Sequence, residues 1–279
     1  MLNRRNFLKA GLTLASTAAL AACGGGSGTD AGSATASASA DGAPDVASLD
    51  LVEEGKLTAV SDMSFPPLEN LDGTTPVGYE IELVEAIADK LGLQMNWLPS
   101  TKFDTIIPLI KQGGKADIGA SAFSITDERK EEIDFTDPIL NSNQGVAVQV
   151  GSEYTTVDAL NVEGVKVCAQ SGTTGEAWIV ENLPNATCVP LDDPVQGMTG
   201  VSTGLYDACV TDLPVEVDLC ENSYDNLEVA IQIPTGEQYG IVVSKDNPDL
   251  TAAINWALAE LDADGTIDDL QIKWFGEVQ

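Results

Sequence analysis

The stretch Ala120-Ser121-Ala122-Phe123-Ser124-Ile125-Thr126-Asp127-Glu128-Arg129-Lys130 carries the side chain with the most specific chemistry in this sequence. Arginine occurs only as Arg4, Arg5 and Arg129. A guanidinium fork suits bidentate recognition of a carboxylate, whereas lysine is sufficient on a solvated surface. Thr126 reads as the N-cap of a short helix, with Asp127 and Glu128 in the first turn where acids are favoured. The small residues ahead of it let a ligand approach the backbone. A plainer reading, a surface helix start whose arginine pairs with Glu128 or Asp134, stays open on this stretch alone. Histidine is absent from the sequence, which removes Ser-His and Cys-His catalysis and the commonest zinc ligand.

A βα series must position Arg129. Residues 57–61 read as a strand, and 80–91 as a helix whose stripe is Val84, Ile87, Ala88 and Leu91, closed by Gly92. Residues 94–98 read as strand, Phe103–Gln112 as helix stopped by Gly113-Gly114, and 116–120 as strand. That alternation is the pattern of a doubly wound sheet, with ligands at the carboxyl ends of its strands. The loops 62–69 and 121–129 both leave such ends. Residues 146–150 then cross out, and the pattern restarts: strand 165–170, helix Thr174–Asn182, strand Thr187–Leu191, a weak Gly-interrupted segment 194–204, strand 207–211 and helix 213–221. Residues 239–244 cross back, and helix 250–261 rejoins the first lobe. The expected fold is α/β and two-lobed, two doubly wound sheets joined by a two-strand hinge. Lobe 1 is 49–145 with 240–279, lobe 2 is 146–239, and the ligand cleft lies between them.

The ends of the chain and its charge add context. Residues 1–22 combine a basic start, Arg4, Arg5 and Lys9, with an apolar run too short to span a bilayer, an export signal. The Arg4-Arg5 pair followed by Phe7-Leu8-Lys9 resembles a twin-arginine signal, and an ordinary secretory signal is the alternative. Leu20-Ala21-Ala22-Cys23 resembles a lipoprotein processing box, making Cys23 the lipidated residue. Residues 23–48 are too poor in large apolar groups to fold and are expected to be a flexible tether. The net charge is −31, and removing residues 1–22 takes away only bases. Such a chain repels nucleic acid and anionic membrane surfaces.

Together with Ile133-Asp134-Phe135-Thr136-Asp137-Pro138, the Arg129 stretch resembles the signature of extracytoplasmic amino-acid-binding proteins (solute-binding protein family 3) of bacterial ABC importers. Further matching pieces are Ser61-Asp62-Met63-Ser64-Phe65-Pro66-Pro67-Leu68-Glu69, Gly78-Tyr79-Glu80-Ile81-Glu82-Leu83, Ser171-Gly172-Thr173-Thr174-Gly175-Glu176, Tyr206-Asp207-Ala208-Cys209-Val210-Thr211-Asp212 and the ending Lys273-Trp274-Phe275-Gly276. The resemblance covers roughly residues 56–276 and implies a periplasmic-binding-protein-like fold of type II. It implies that Arg129 clamps the ligand α-carboxylate, helped by Ser124 and Thr174, and that Asp212 takes the α-ammonium with the Ala122 carbonyl. Phe65 and Phe103 would cover the ligand side chain, core packing being their plain alternative. Asp62, Gln170 and Thr211 match side-chain-facing positions.

Four cysteines follow Cys23: Cys168, Cys188, Cys209 and Cys220. An even number in an exported chain suggests two disulfides, with three possible pairings. Consecutive strands favour Cys168–Cys188, and a strand followed by its return helix favours Cys209–Cys220; buried free thiols are the alternative. No metal site and no cofactor are expected, because neither a CxxC spacing nor histidine is present. The expected function is a monomeric, lipid-anchored receptor on the outer face of the cytoplasmic membrane, delivering a polar amino acid to an ABC permease. It is not expected to be an enzyme. The alternatives are a dehydratase acting on a prephenate-like acid, with Glu69 or Glu176 as general acid, and a ligand-sensing subunit of a membrane receptor.

Overall fold

The computed structural model describes residues 42–279. The expected signal segment 1–22, the Arg4-Arg5 pair, Cys23 and most of the tether 23–48 lie outside the described residues.

Strand β1 (Lys56–Val60) is buried from Leu57 onward. A small hairpin follows, β2 (Asn70–Asp72) and β3 (Thr75–Val77), and then α1 (Tyr79–Lys90). Its buried Ile81, Val84, Ile87 and Ala88 recur at helical spacing, which turns one face onto the sheet. Gly78 precedes it with φ 139°, and a Cβ there would stand 2.2 Å from the Leu68 carbonyl oxygen, so only glycine lets the two backbones pass. The unit continues through β4 (Gln94–Trp97), α2 (Phe103–Gln112) and β5 (Ile118–Gly119). β1 pairs in parallel with both β4 and β5, so the loops after β1 and β5 leave the sheet side by side. Next come α3 (Asp127–Glu132) and β6 (Asp134–Phe135).

The second sheet opens with β7 (Leu140–Gln149) and runs through α4 (Val157–Leu160), β8 (Lys166–Gln170), α5 (Thr174–Asn182), β9 (Thr187–Leu191), α6 (Pro194–Ser202), β10 (Ala208–Asp212), α7 (Leu213–Asn222) and β11 (Leu227–Tyr239). Its order is β11-β7-β10-β8-β9, with β8 parallel to β9 and β10, and β7 antiparallel to β10 and β11. The chain returns through β12 (Val242–Val243), antiparallel to β5 and β6, giving a first sheet of order β4-β1-β5-β12-β6. Helix α8 (Pro248–Ala263) packs against α1, and α9 (Thr266–Phe275) packs on both. This is the expected α/β architecture, with the chain passing between the sheets after β6 and after β11.

Three expectations change in detail. The second crossing segment is not one strand: Tyr239 ends β11 and Val242 begins β12, so the apolar run 239–244 joins two sheets. Most of β11 is half-buried or exposed, which hides it from a search for apolar alternation. The weak segment 194–204 contains a full helix, α6, because its glycines are packing devices: a Cβ at Gly197 would lie 2.7 Å from Cys209 Sγ, and one at Gly200 2.3 Å from the Tyr206 ring. The Cys168–Cys188 pairing fails on register. β8 and β9 set Cys168 opposite Val189 and Cys188 opposite Val167, so alternation sends the two thiols to opposite faces of the sheet. Cys168 instead lies beside Cys209 under α6, Cys220 packs on that same face, and all four thiols are free.

Candidate ligand-binding cleft

Two loops from adjacent strands of the first sheet form one wall. The Asp62 N–H donates to Ser121 Oγ (3.1 Å), and that hydroxyl donates to Glu69 Oε1 (2.7 Å). The Ala122 N–H donates to Glu80 Oε2 (2.7 Å). Glu69 and Glu80 are buried together, and desolvation followed by mutual repulsion holds Glu69 well above the usual carboxylate range. Burial raises Glu80 to about 7. Among the described residues, only Met63 (φ 61°) and Ala122 (φ 49°) adopt positive φ without being glycine, one in each loop. Such strain persists where surrounding contacts over-determine the backbone, and here the buried acids supply those contacts.

Thr126 caps α3 by accepting from the Arg129 N–H at 3.2 Å, which directs the arginine off the first turn. Its Nη1 donates to the Ser124 carbonyl (2.8 Å) and its Nη2 to the Gly172 carbonyl (2.9 Å), the second reaching the loop before α5. The guanidinium lies over Phe103 at 5.4 Å and Phe123 at 5.6 Å. Phe65, Phe103 and Phe123 form a continuous stack, with centroids 6.1 and 4.6 Å apart. Phe123 was not among the expected residues, although it sits within the motif; its spacing gave no reason to separate it from core. A cavity of about 410 Å³ opens beside Phe103, Phe123, Arg129 and Thr174. Its wall does not include Asp62, Gln170 or Asp212; Asp62 and Gln170 meet each other across the two sheets, and Asp212 is held within the second sheet by Gln144.

Asp212 ends β10, buried, and accepts from Gln144 Nε2. Burial first, and then the Glu237 charge, raise its carboxyl to about 7 against hydrogen bonds from Gln144 and Tyr239. At the other end, Gln170 Nε2 donates to Asp62 Oδ2 (2.5 Å) and to the Asp192 carbonyl (2.8 Å), while Ser64 Oγ donates to the same Asp62 oxygen (2.7 Å). Burial raises the Asp62 carboxyl above its ordinary range. Thr211 is buried beside Asp212 in β10, with its N–H donating to Glu216 Oε1 (3.3 Å) and no described hydrogen bond to the Asp62–Gln170 pair. The Ser124 and Thr174 hydroxyls both donate to Glu237 Oε2, the latter at 2.8 Å. Only the backbone N–H groups of Ser124 and Thr174 therefore remain to meet an anion. Thr174 is the first residue of α5, where N–H groups lack intrahelical acceptors.

The residues that sequence reading passed over, Gln144, Glu237 and Tyr239, all belong to β7 and β11. Strands that cross between lobes must floor the cleft, so inward polar residues on them were the available signal. The acids of the dehydratase reading are both engaged: Glu69 is buried under Ser121, and Glu176 accepts from the Gly172 N–H at 2.7 Å.

The profile of the bacterial extracellular solute-binding proteins, family 3, matches residues 57–277. The chain is 30% identical over 226 residues to the L-cystine-binding protein TcyJ of Escherichia coli (strain K12), covering 80% of this chain and 84% of that protein. It is 31% identical over 202 residues to the ABC transporter glutamine-binding protein GlnH of Bacillus subtilis (strain 168), covering 72% and 73%. Among solved structures, an ancestral arginine-binding protein bound to arginine superposes with a TM-score of 0.75 at 33% identity, over 80% of this chain and 99% of the other.

Proposed function

The chain belongs to family 3 of the bacterial extracellular solute-binding proteins, and from that premise we propose that it binds a polar amino acid between its lobes and delivers it to an ABC permease. One observation carries this reading. Arg129 and Asp212 are close enough to act on each other's ionisation, yet Arg129 is held by carbonyls and Asp212 by an amide, with no ion pair between them among the described residues. An amino-acid zwitterion supplies the missing partner to each: carboxylate to Arg129 and the Ser124 and Thr174 N–H groups, ammonium to Asp212 and the Ala122 carbonyl. Because Arg129 reaches Gly172 and Gln170 reaches Asp62 across the lobes, such a ligand favours closure.

Asp62 and Gln170 set the side-chain end, under the Phe65–Phe103 stack. Neither is cationic. Lys102, the nearest lysine in sequence to that stack, pairs at the surface with Asp192 at 2.5 Å. A second ligand carboxylate would face Asp62 unpaired, which costs several kcal/mol, about two orders of magnitude or more in affinity. A neutral polar or basic amino acid is therefore preferred to its acidic counterpart. The receptor acts as a monomer and not as an enzyme, with lobes of residues 49–139 plus 240–279 and 140–239, the boundary lying ahead of the expected 145 because β7 joins the second sheet from Leu140 onward. It is exported and anchored through Cys23 on the outer face of the cytoplasmic membrane. Titration of glutamine, glutamate, arginine, histidine and cystine into the protein lacking residues 1–47 tests the reading. Glutamate binding tightest overturns the pocket assignment, and binding of no amino acid overturns the function.

A further inference from the structure

Glu237 stands outside every motif that carries the family resemblance. It lies in β11, a strand whose neighbouring Gly236 and Gln238 are exposed, and a carboxylate there would ordinarily be solvated. Instead it turns into the cleft. Its Oε2 accepts from Ser124 Oγ, from Thr174 Oγ1 at 2.8 Å and from Gln144 Nε2 at 3.3 Å. The same Gln144 Nε2 donates to Asp212 Oδ1, so one neutral amide nitrogen is shared by two carboxylates from different strands. Arg129 is the cation that faces both acids, and its described hydrogen bonds go to carbonyls.

Two carboxylates converging on one neutral donor repel each other, and the repulsion shrinks when a cation with several N–H donors comes between them. A primary ammonium has that charge and three donors. An amino acid whose carboxylate meets Arg129 carries its ammonium one carbon away, on the side of the cleft where Asp212 stands. We propose that Glu237 and Asp212 together form the seat for the ligand's α-ammonium group, making Glu237 a binding residue. The inference rests on the reading of the cleft as an amino-acid site. The opposite role is a competitor: a carboxylate holding the Ser124 and Thr174 hydroxyls against the ligand's own carboxylate. The two roles predict opposite effects of removing the charge.

The test is calorimetry on the full chain with L-arginine, L-glutamine and L-cystine, each beside its deaminated acid, using wild type, Glu237→Gln and Glu237→Asp. In Glu237→Gln, every amino acid that wild type binds loses about 10- to 100-fold in affinity, while its deaminated acid is unchanged or tighter. Glu237→Asp keeps the charge and loses less. The proposal is overturned if Glu237→Gln binds the amino acid as well as or better than wild type, if both members of a pair weaken equally, or if Glu237→Asp loses more than Glu237→Gln. Wild type binding none of the three amino acids overturns the amino-acid reading itself, and this inference with it.

Discussion

At the scale of single residues, Arg129 is the side chain on which the proposed cleft turns. Its aromatic stack and its two carbonyl acceptors fix the plane of the fork before any carboxylate arrives. Arg129→Ala is expected to weaken amino-acid binding by about 100-fold or more, because it leaves a ligand charge unpaired in the proposed site. Arg129→Lys keeps the charge and loses the planar fork, and falls between the two. Calorimetry checks both; near-normal affinity in the alanine variant removes Arg129 from the clamp. Asp212 adds a dependence on pH. Its carboxyl is raised to about 7 by burial and by Glu237, and an ammonium needs the ionised form. Affinity for a zwitterionic amino acid is thus expected to fall as the pH drops below about 7, with a proton released on binding near neutrality. Equal binding enthalpies in buffers of different ionisation heat count against that.

At the scale of elements, legibility followed apolar patterning. Phe103–Gln112, Thr174–Asn182 and Thr187–Leu191 are read from the sequence with the bounds the structure shows, since each has a clear stop or cap: Gly113, the Thr173 hydroxyl on Glu176 N, and the flanking polar turns. α6 and β11 resisted for opposite reasons. Glycine lowers helix propensity, but in α6 it makes room for two sulfurs and a tyrosine ring, so packing overrides propensity. In β11 the residues that face the cleft are polar because of what they touch, and polar alternation does not announce a strand. The same contrast bears on the proposed site: Arg129, Asp212 and Gln170 sit in short motifs at or after strand ends, whereas Gln144 and Glu237 lie within the long strands β7 and β11 that no such motif marks. Two outcomes test this level. Gly197→Ala is expected to destabilise the protein by about 1–3 kcal/mol, read from denaturant midpoints, because its Cβ meets buried sulfur. Peptide mapping of exported, unreduced protein is expected to find no Cys168–Cys188 link; finding one contradicts the register of β8 and β9.

At the scale of the whole molecule, a set of polar ties runs between the two lobes. Asp62–Gln170, Arg129–Gly172 and Lys102–Asp192 join loops of one lobe to loops of the other. The last pair is exposed on both sides and contributes little by itself, so Lys102→Ala is expected to change affinity by less than about fivefold. The two strands that pass between the lobes bring their own irregularity. β11 shifts register against β7 between Val229 and Ile231 and again between Ile233 and Glu237, just where the chain approaches Ser124 and Thr174.

The buried acids turn the molecule into a buffer near neutrality. Glu80 and Asp212 are raised to about 7 in the folded chain, by burial first in both, and Glu69 and Glu216 are held well above the usual range by the same desolvation. Unfolding returns all four to ordinary carboxyl values near 4. Each therefore contributes stability that is full below about 4 and is lost as the pH rises through its raised folded value, about 7 for Glu80 and Asp212, because the native state binds more protons in that window. The thermal midpoint should climb as the medium is acidified from pH 8 toward 5, with the net charge of −31 relaxing at the same time. Over that range the proposed ammonium seat loses its ionised Asp212. Mild acid is thus expected to make this receptor harder to melt and easier to empty, a protein that keeps its shape while letting go of its cargo.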